Sequence, residues 1–158
     1  MKKLIALFLG ILLLLSMTGC GLGGGKNFDP RQVDLNSVRK EKSKTVSQVY
    51  VLKYDKDCKI DEALGAPTEG YLYLVVYTDD DYDLAVCKTN GRVQRTFNHE
   101  TLFQAAKEAN WEGKDYDRAV LLEKAREQAG NSTSRAVETN VWYQFTPDEV
   151  SDLVAKSK

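Results

Sequence analysis

The stretch YLYLVVYT, residues 71–78, decides the fold expected for this chain. Side chains in a strand alternate between two faces, so this stretch presents an aliphatic face (Leu72, Leu74, Val76) and a mostly tyrosine face (Tyr71, Tyr73, Val75, Tyr77). A strand that is apolar or aromatic on both faces is typical of the centre of a sheet. The sequence therefore predicts a central β-strand here.

Further strands flank this one and are joined to it by short turns. The Val- and Tyr-rich run 46–54 predicts a strand before it, and an acidic turn at 79–81 leads into a third strand over 83–89. Asn90-Gly91 tolerates the positive φ of a type I′ turn and predicts a hairpin into a fourth strand over 92–97. Short turns between neighbouring strands indicate an antiparallel sheet.

The second half of the chain is mainly helical in pattern. Apolar residues recur at helical spacing over 99–110 and over 115–129, and the run 135–145 predicts a fifth strand between helices. The sequence TPDE over 146–149 supplies a cap, a first-position proline and an acidic third position, which predicts a last helix. We therefore predict an α+β fold, an antiparallel sheet of about five strands with about three helices, in the order β-β-β-β-α-α-β-α.

The first twenty residues indicate export. Lys2 and Lys3 precede an apolar run of 12 residues over 4–15, and the sequence SMTGC follows over 16–20. A run of that length suits a signal peptide, whereas a transmembrane helix needs about 20 apolar residues. The segment resembles the lipobox of bacterial lipoproteins, and it departs from that pattern at Met17, where the family has leucine or another aliphatic residue.

The resemblance implies that residues 1–19 form a cleaved signal peptide and that Cys20 carries lipid, with a further acyl chain such as palmitate on its amino group. Acyl chains bury methylenes at about 0.8 kcal/mol each, which would hold the protein on a bacterial membrane. Because Gly21 follows the cysteine, the family pattern favours the outer membrane in a Gram-negative host, and a Gram-positive host offers only the plasma membrane. The alternative is an uncleaved N-terminal anchor.

Residues 20–44 are predicted to form a lipidated, flexible, basic tether, followed by a single α+β domain over 45–158. Glycine dominates 21–25, and 26–44 holds six Lys and Arg residues against three Asp and Glu residues. The excess charge could attract anionic lipid, but a solvated linker explains it as well. Loss of Lys2 and Lys3 would change the net charge from −1 to −3, a balance that argues against nucleic-acid binding.

Cys58 and Cys87 are predicted to form a disulfide, because export places the chain in an oxidising compartment. Such a bridge would close a loop of about 30 residues and stabilise the fold by about 3–4 kcal/mol. Two free thiols, or a redox-active pair, are the alternatives. The absence of a Cys-x-x-Cys sequence argues against redox chemistry.

Two sets of polar side chains are candidates for chemistry. The aspartates at 79, 80, 81 and 83 could hold calcium, but their spacing does not match an EF-hand loop, and a plain acidic turn is favoured. His99 is the only histidine and could act as a general base or pair with a cysteine, although no partner can be named. We predict no catalytic site, no cofactor and no metal.

Tyr71, Tyr73 and Tyr77 are a candidate partner surface, because tyrosine is favoured at protein interfaces. They would be exposed if the helices cover only the opposite face, and buried if the tether, the 55–70 loop or a helix covers them. The predicted function is that of a non-catalytic, membrane-anchored binding or assembly module with a protein partner in the cell envelope. The alternatives are a small-ligand or ion carrier and, with less support, a Cys/His enzyme.

Overall fold

The computed structural model describes residues 28–58, 64–98, 100–102, 104, 118–131 and 136–158. Its strands are β1 (Val46–Tyr54), β2 (Gly70–Tyr77), β3 (Tyr82–Cys87), β4 (Val93–Asn98) and β5 (Trp142–Gln144). They form one antiparallel sheet in the order β4-β3-β2-β1-β5. The helices are α1 (Arg118–Asn131) and α2 (Pro147–Lys156), preceded by two short 3-10 helices, Pro30–Gln32 and Leu35–Ser37.

The predicted central strand is confirmed. Every residue of β2 is buried, and β2 pairs along its length with β1 on one side and with β3 on the other. The α+β class and the antiparallel sheet are confirmed with it. Residues 100–102 and 104 are helical, in agreement with a helix beginning near residue 99, and the rest of that predicted helix lies outside the described residues.

One face of the sheet, here called the helix face, carries Leu72, Leu74 and Val76 of β2. These residues share a cluster with Leu102, with Leu122 and Ala125 of α1, and with Trp142 of β5. This is the face that the sequence pattern assigns to helices. Among the described residues, no helix has the length and apolar character that crossing a membrane requires.

The opposite face, here called the tyrosine face, carries Tyr71, Tyr73, Val75 and Tyr77. It is covered by two parts of the chain. Val150 and Leu153 of α2 pack on it, and so do Val33, Leu35 and Val38 from the segment before β1.

Residues 28–44 are therefore not a flexible tether, and the boundary predicted between residues 44 and 45 is wrong. Asp29 and Asp34 cap the two 3-10 helices, and Val38 is 0% exposed. The segment crosses the tyrosine face from Phe28, which packs on Tyr71 with ring centroids 5.2 Å apart, to Lys44 near the other end of β2. The ordered domain includes this segment.

The hairpin between β3 and β4 fixes the start of that segment. The predicted hairpin is confirmed, but its turn is not the predicted type I′, because Gly91 has positive φ (+83°) and Asn90 does not. The turn spans 88–91, and the Gly91 amide donates to the Lys88 carbonyl oxygen at 2.9 Å. The Phe28 ring lies where a side chain at position 91 would be, so only glycine leaves room for it. The chain therefore enters the domain at a defined point beside this turn.

β5 is shorter than the predicted strand because the chain turns sharply at Asn140. Asn140 has φ +64°, and its side chain bonds Asp55 twice, accepting from the Asp55 amide at 3.1 Å and donating to Oδ1 at 2.9 Å. The left-handed conformation interrupts the ladder to β1, so regular pairing begins only at Trp142.

Candidate functional site

The candidate surface of Tyr71, Tyr73 and Tyr77 is not exposed. Tyr73 is 0% and Tyr77 1% exposed, and the Tyr73 hydroxyl donates to the Pro30 carbonyl oxygen at 2.7 Å. Burial raises the pKa of both phenols, which stay neutral. The structure thus shows the alternative arrangement, in which the tyrosines pack beneath the N-terminal segment and α2, and an open tyrosine surface is wrong.

The aspartates at 79–83 do not converge on one point. Asp79 and Asp81 both pair with the Lys44 ammonium, at 2.9 and 3.0 Å, and Asp80 lies 3.8 Å from Arg126. Asp83 lies apart from them, on the tyrosine face. Among the described residues, no three acidic, cysteine or histidine side chains are grouped closely enough to hold a metal ion.

Asp83 is instead a structural bridge between the sheet and the N-terminal segment. It is 1% exposed, and its Oδ2 accepts from the amides of Lys40 and Glu41 at 2.6 and 2.8 Å. The Tyr77 hydroxyl donates to the same oxygen at 2.5 Å. Oδ1 is buried and has no hydrogen-bond partner in the described part of the chain. One carboxylate oxygen thus binds three donors, of which the Tyr77 hydroxyl is buried and the two amides are partly buried.

The predicted disulfide between Cys58 and Cys87 is wrong, because the structure holds both as free thiols. Cys87 is buried within the tyrosine-face cluster, whereas Cys58 packs against the helix-face cluster. Burial raises the pKa of Cys87 to about 12 and that of Cys58 above its ordinary value. A protonated thiol is a poor nucleophile, which argues against cysteine catalysis. His99 and Cys20 lie outside the described residues.

We expect these two thiols to react very differently. Iodoacetamide should label Cys58 in the native protein and Cys87 only after denaturation, because Cys87 is 0% exposed. Peptide mass spectrometry would measure both positions, with a Cys58→Ser variant as the control. A gain of two mass units on reduction of the pair would contradict the prediction.

A groove of about 660 Å³ runs along β5, at one edge of the sheet. Its floor is β5 and the residues around it, Val141 to Thr146. Ala129 of α1 lies on one side, and Pro147 and Glu149 of α2 lie on the other, together with Arg31. The groove thus lies beside an edge strand, between α1 on one face of the sheet and α2 on the other.

The backbone of β5 presents hydrogen-bonding groups to this groove. Tyr143 pairs with Val51, and the Phe145 amide donates to the Val49 carbonyl oxygen at 2.9 Å, so the odd-numbered residues bond β1. The groups of Trp142 and Gln144 consequently point outward. The Trp142 amide meets the side-chain oxygen of Gln128 at 3.3 Å. Within the described residues, no hydrogen bond satisfies the outward backbone groups of Gln144.

Tyr143 and Glu149 form the polar part of the groove. The Tyr143 hydroxyl donates to the two carboxylate oxygens of Glu149 at 2.8 and 3.1 Å. Burial, and then the carboxylate of Glu149, raise the pKa of Tyr143 to about 12, so the phenol remains a neutral donor. Arg31 lines the same groove, pairs with Asp29 at 3.5 Å, and acts against the rise in the pKa of Tyr143.

A second depression, of about 510 Å³, lies between the N-terminal segment and the end of α2 and is lined by Arg39, Lys42, Lys44 and Lys158. Arg39 already donates to the Asn36 side chain and to the Lys44 carbonyl oxygen, and Lys44 pairs with two aspartates. These partners within the domain reduce the free charge available to an anion.

The groove along β5 was missed by sequence reasoning, which placed a longer strand there and looked for a partner surface on the tyrosines. The only sequence signal was the aromatic run at 142–145 beside the helix start at 146–149. Comparisons of the chain with models of known protein families, with curated proteins and with solved structures give no match.

Proposed function

We propose that the protein is an exported lipoprotein, held on a bacterial membrane by lipid on Cys20, and that it acts as a non-catalytic binding module of the cell envelope. The observation that carries the binding role is the open edge of β5 within its groove. The anchor rests on the resemblance of residues 1–20 to a lipobox.

Recognition suits the groups in this groove better than proton transfer does. The raised pKa of Tyr143 keeps its hydroxyl protonated near neutral pH, and Glu149 already accepts that hydrogen bond. The other features are outward backbone groups and the apolar surfaces of Ala129, Val141 and Pro147. Fixed donors and acceptors beside apolar surface are the usual composition of a binding site.

A small-ligand carrier is the second candidate function. The groove volume falls within the range of about 300–1,000 Å³ that small-molecule sites occupy. Binding to the native state would raise the melting temperature, so a thermal-shift screen with metabolites tests this alternative.

The test of the first proposal is photocrosslinking in intact cells. A photoreactive residue in place of Gln144 should crosslink one partner, because Gln144 is exposed on the edge strand. The same residue in place of Thr89, in the β3–β4 turn, is the matched control. We expect the product to form at position 144, to be absent at position 89, and to be lost with Cys20→Ser.

Equal products at both positions, or a product that is unaffected by Cys20→Ser, would contradict the proposal. Mass spectrometry of the mature chain provides the separate check on the anchor. It should show removal of residues 1–19 and acyl chains on Cys20.

A further inference from the structure

We propose that the groove binds an extended peptide segment of a partner protein, which adds to β5 as a sixth strand and places a basic side chain against Glu149. This inference rests on the proposed function and names the chemistry of its partner.

The edge geometry supplies the main-chain recognition. The outward amide and carbonyl groups of Gln144 form a donor–acceptor pair, which is the pattern that one residue of an antiparallel neighbour bonds. The Trp142 carbonyl oxygen faces outward as well. Because β5 pairs with β1 alone among the described strands, an added strand would lie beside β5 and continue the sheet.

The groove has side walls that an added strand would contact. Peptide side chains level with Trp142 and Gln144 would lie on the helix face, where the small side chain of Ala129 leaves room. Those level with Tyr143 would lie on the tyrosine face, beside Arg31 and Glu149. Successive side chains of the peptide would thus contact the two walls of the groove in turn.

The charge of the groove selects a basic peptide. Glu138 and Glu149 line it, and Arg31 is the one basic residue among the described residues that line it. Arg31 pairs with Asp29 and also interacts with Tyr143 and Glu149, so two carboxylates in the groove face one cation that Asp29 shares. Each carboxylate oxygen of Glu149 can accept a second hydrogen bond beside the one from Tyr143. A lysine or arginine level with Tyr143 would therefore meet an acceptor that the structure already orients.

The same charges disfavour a second copy of this chain as the occupant. Antiparallel pairing of β5 with its own copy would bring together two grooves that are each lined by Glu138 and Glu149. Like charges repel, which disfavours this pairing. The exposed main-chain groups therefore suit a different, basic strand better than their own copy.

The test selects a phage-displayed library of random nonapeptides on the full chain carrying Cys20→Ser. We expect the selected peptides to be rich in β-branched residues and to carry a lysine or arginine. Gln144→Pro should weaken their binding at least tenfold, because it removes the outward amide without breaking a bond to β1. Gln144→Ala keeps that amide and should change binding less than threefold.

Two further measurements keep the test independent of folding. Glu149→Gln keeps an acceptor for Tyr143 and should remove the preference for lysine over glutamate at the selected position. In the wild-type chain, bound peptide should slow hydrogen exchange of the Gln144 amide. A selection that yields no peptides, or one that yields acidic peptides, would overturn the proposal.

Unchanged affinity for Gln144→Pro, or unchanged exchange at Gln144, would overturn it as well. So would a concentration-dependent dimer of the chain that Gln144→Pro abolishes. A partner that crosslinks at position 144 in cells, while Gln144→Pro leaves peptide binding by the purified chain unchanged, would contradict strand addition and leave the binding role intact. Peptide binding in vitro with no crosslinked partner in cells would contradict the binding role instead.

Discussion

A chain that begins at Thr45 should fail to fold, whereas one that begins at Phe28 should unfold cooperatively. The shorter chain lacks Val33, Leu35 and Val38, which are at most 5% exposed. Burying each such side chain contributes about 1.5–3 kcal/mol, so the three together approach the total stability of a small domain. The shorter chain would also expose the tyrosine face to solvent. Circular dichroism with urea titration measures the difference.

A point substitution separates this effect from the change in length. In the chain that begins at Phe28, Leu35→Ala should lower the free energy of unfolding by about 2–5 kcal/mol, because it opens a cavity beneath the segment. Ser37→Ala is the matched control, since Ser37 is exposed in the same segment. A chain from Thr45 with the same urea midpoint as the longer one would show that residues 28–44 contribute nothing.

Replacing Asp83 with alanine should lower the free energy of unfolding by about 3–5 kcal/mol. The substitution leaves the Lys40 and Glu41 amides and the Tyr77 hydroxyl without their acceptor. A buried donor such as the Tyr77 hydroxyl costs about 1–3 kcal/mol when it loses its partner, and the partly buried amides of Lys40 and Glu41 cost less because water can reach them. Hydrogen exchange at Lys40 and Glu41 should accelerate more than exchange in β2.

Asp79→Ala is the matched control for this prediction. Asp79 is a turn residue whose side chain is 54% exposed, and its pairing with Lys44 is worth at most about 1 kcal/mol at such a site. Asp83→Asn keeps an acceptor oxygen, so its free energy of unfolding should lie between those of Asp83→Ala and Asp79→Ala. Equal urea midpoints for Asp83→Ala and Asp79→Ala would mean that the buried bridge adds no stability.

The parts of the fold that could be predicted are those that local chemistry determines. The two apolar faces of 71–78 predict the buried central strand, and Asn90-Gly91 predicts the hairpin. The structure contains both. The Thr146 side chain accepts from the Glu149 amide at 3.2 Å, as the cap pattern before α2 indicates. In each case a few neighbouring residues contain the whole signal.

What could not be predicted depends on contacts between distant residues. Three apolar residues spread over 33–38 show no regular period, and they become core only because the tyrosine face lies across from them. The sequence spacing of Cys58 and Cys87 does not indicate that they pack against opposite faces of the sheet. The groove along β5 likewise exists only because Asn140 ends the ladder and leaves a short edge between two packed layers.

The fixed position of Phe28 beside Gly91 has a geometric consequence for the proposed lipoprotein. Eight peptide units join Cys20 to Phe28, and a fully extended chain gains at most about 3.6 Å per residue. Phe28 can therefore lie no further than about 29 Å from Cys20. The Gly91 end of the sheet would then stay within that distance of the bilayer, whereas the acidic turn at 79–81 lies at the far end of β2. A partner would therefore meet the domain close to the membrane surface.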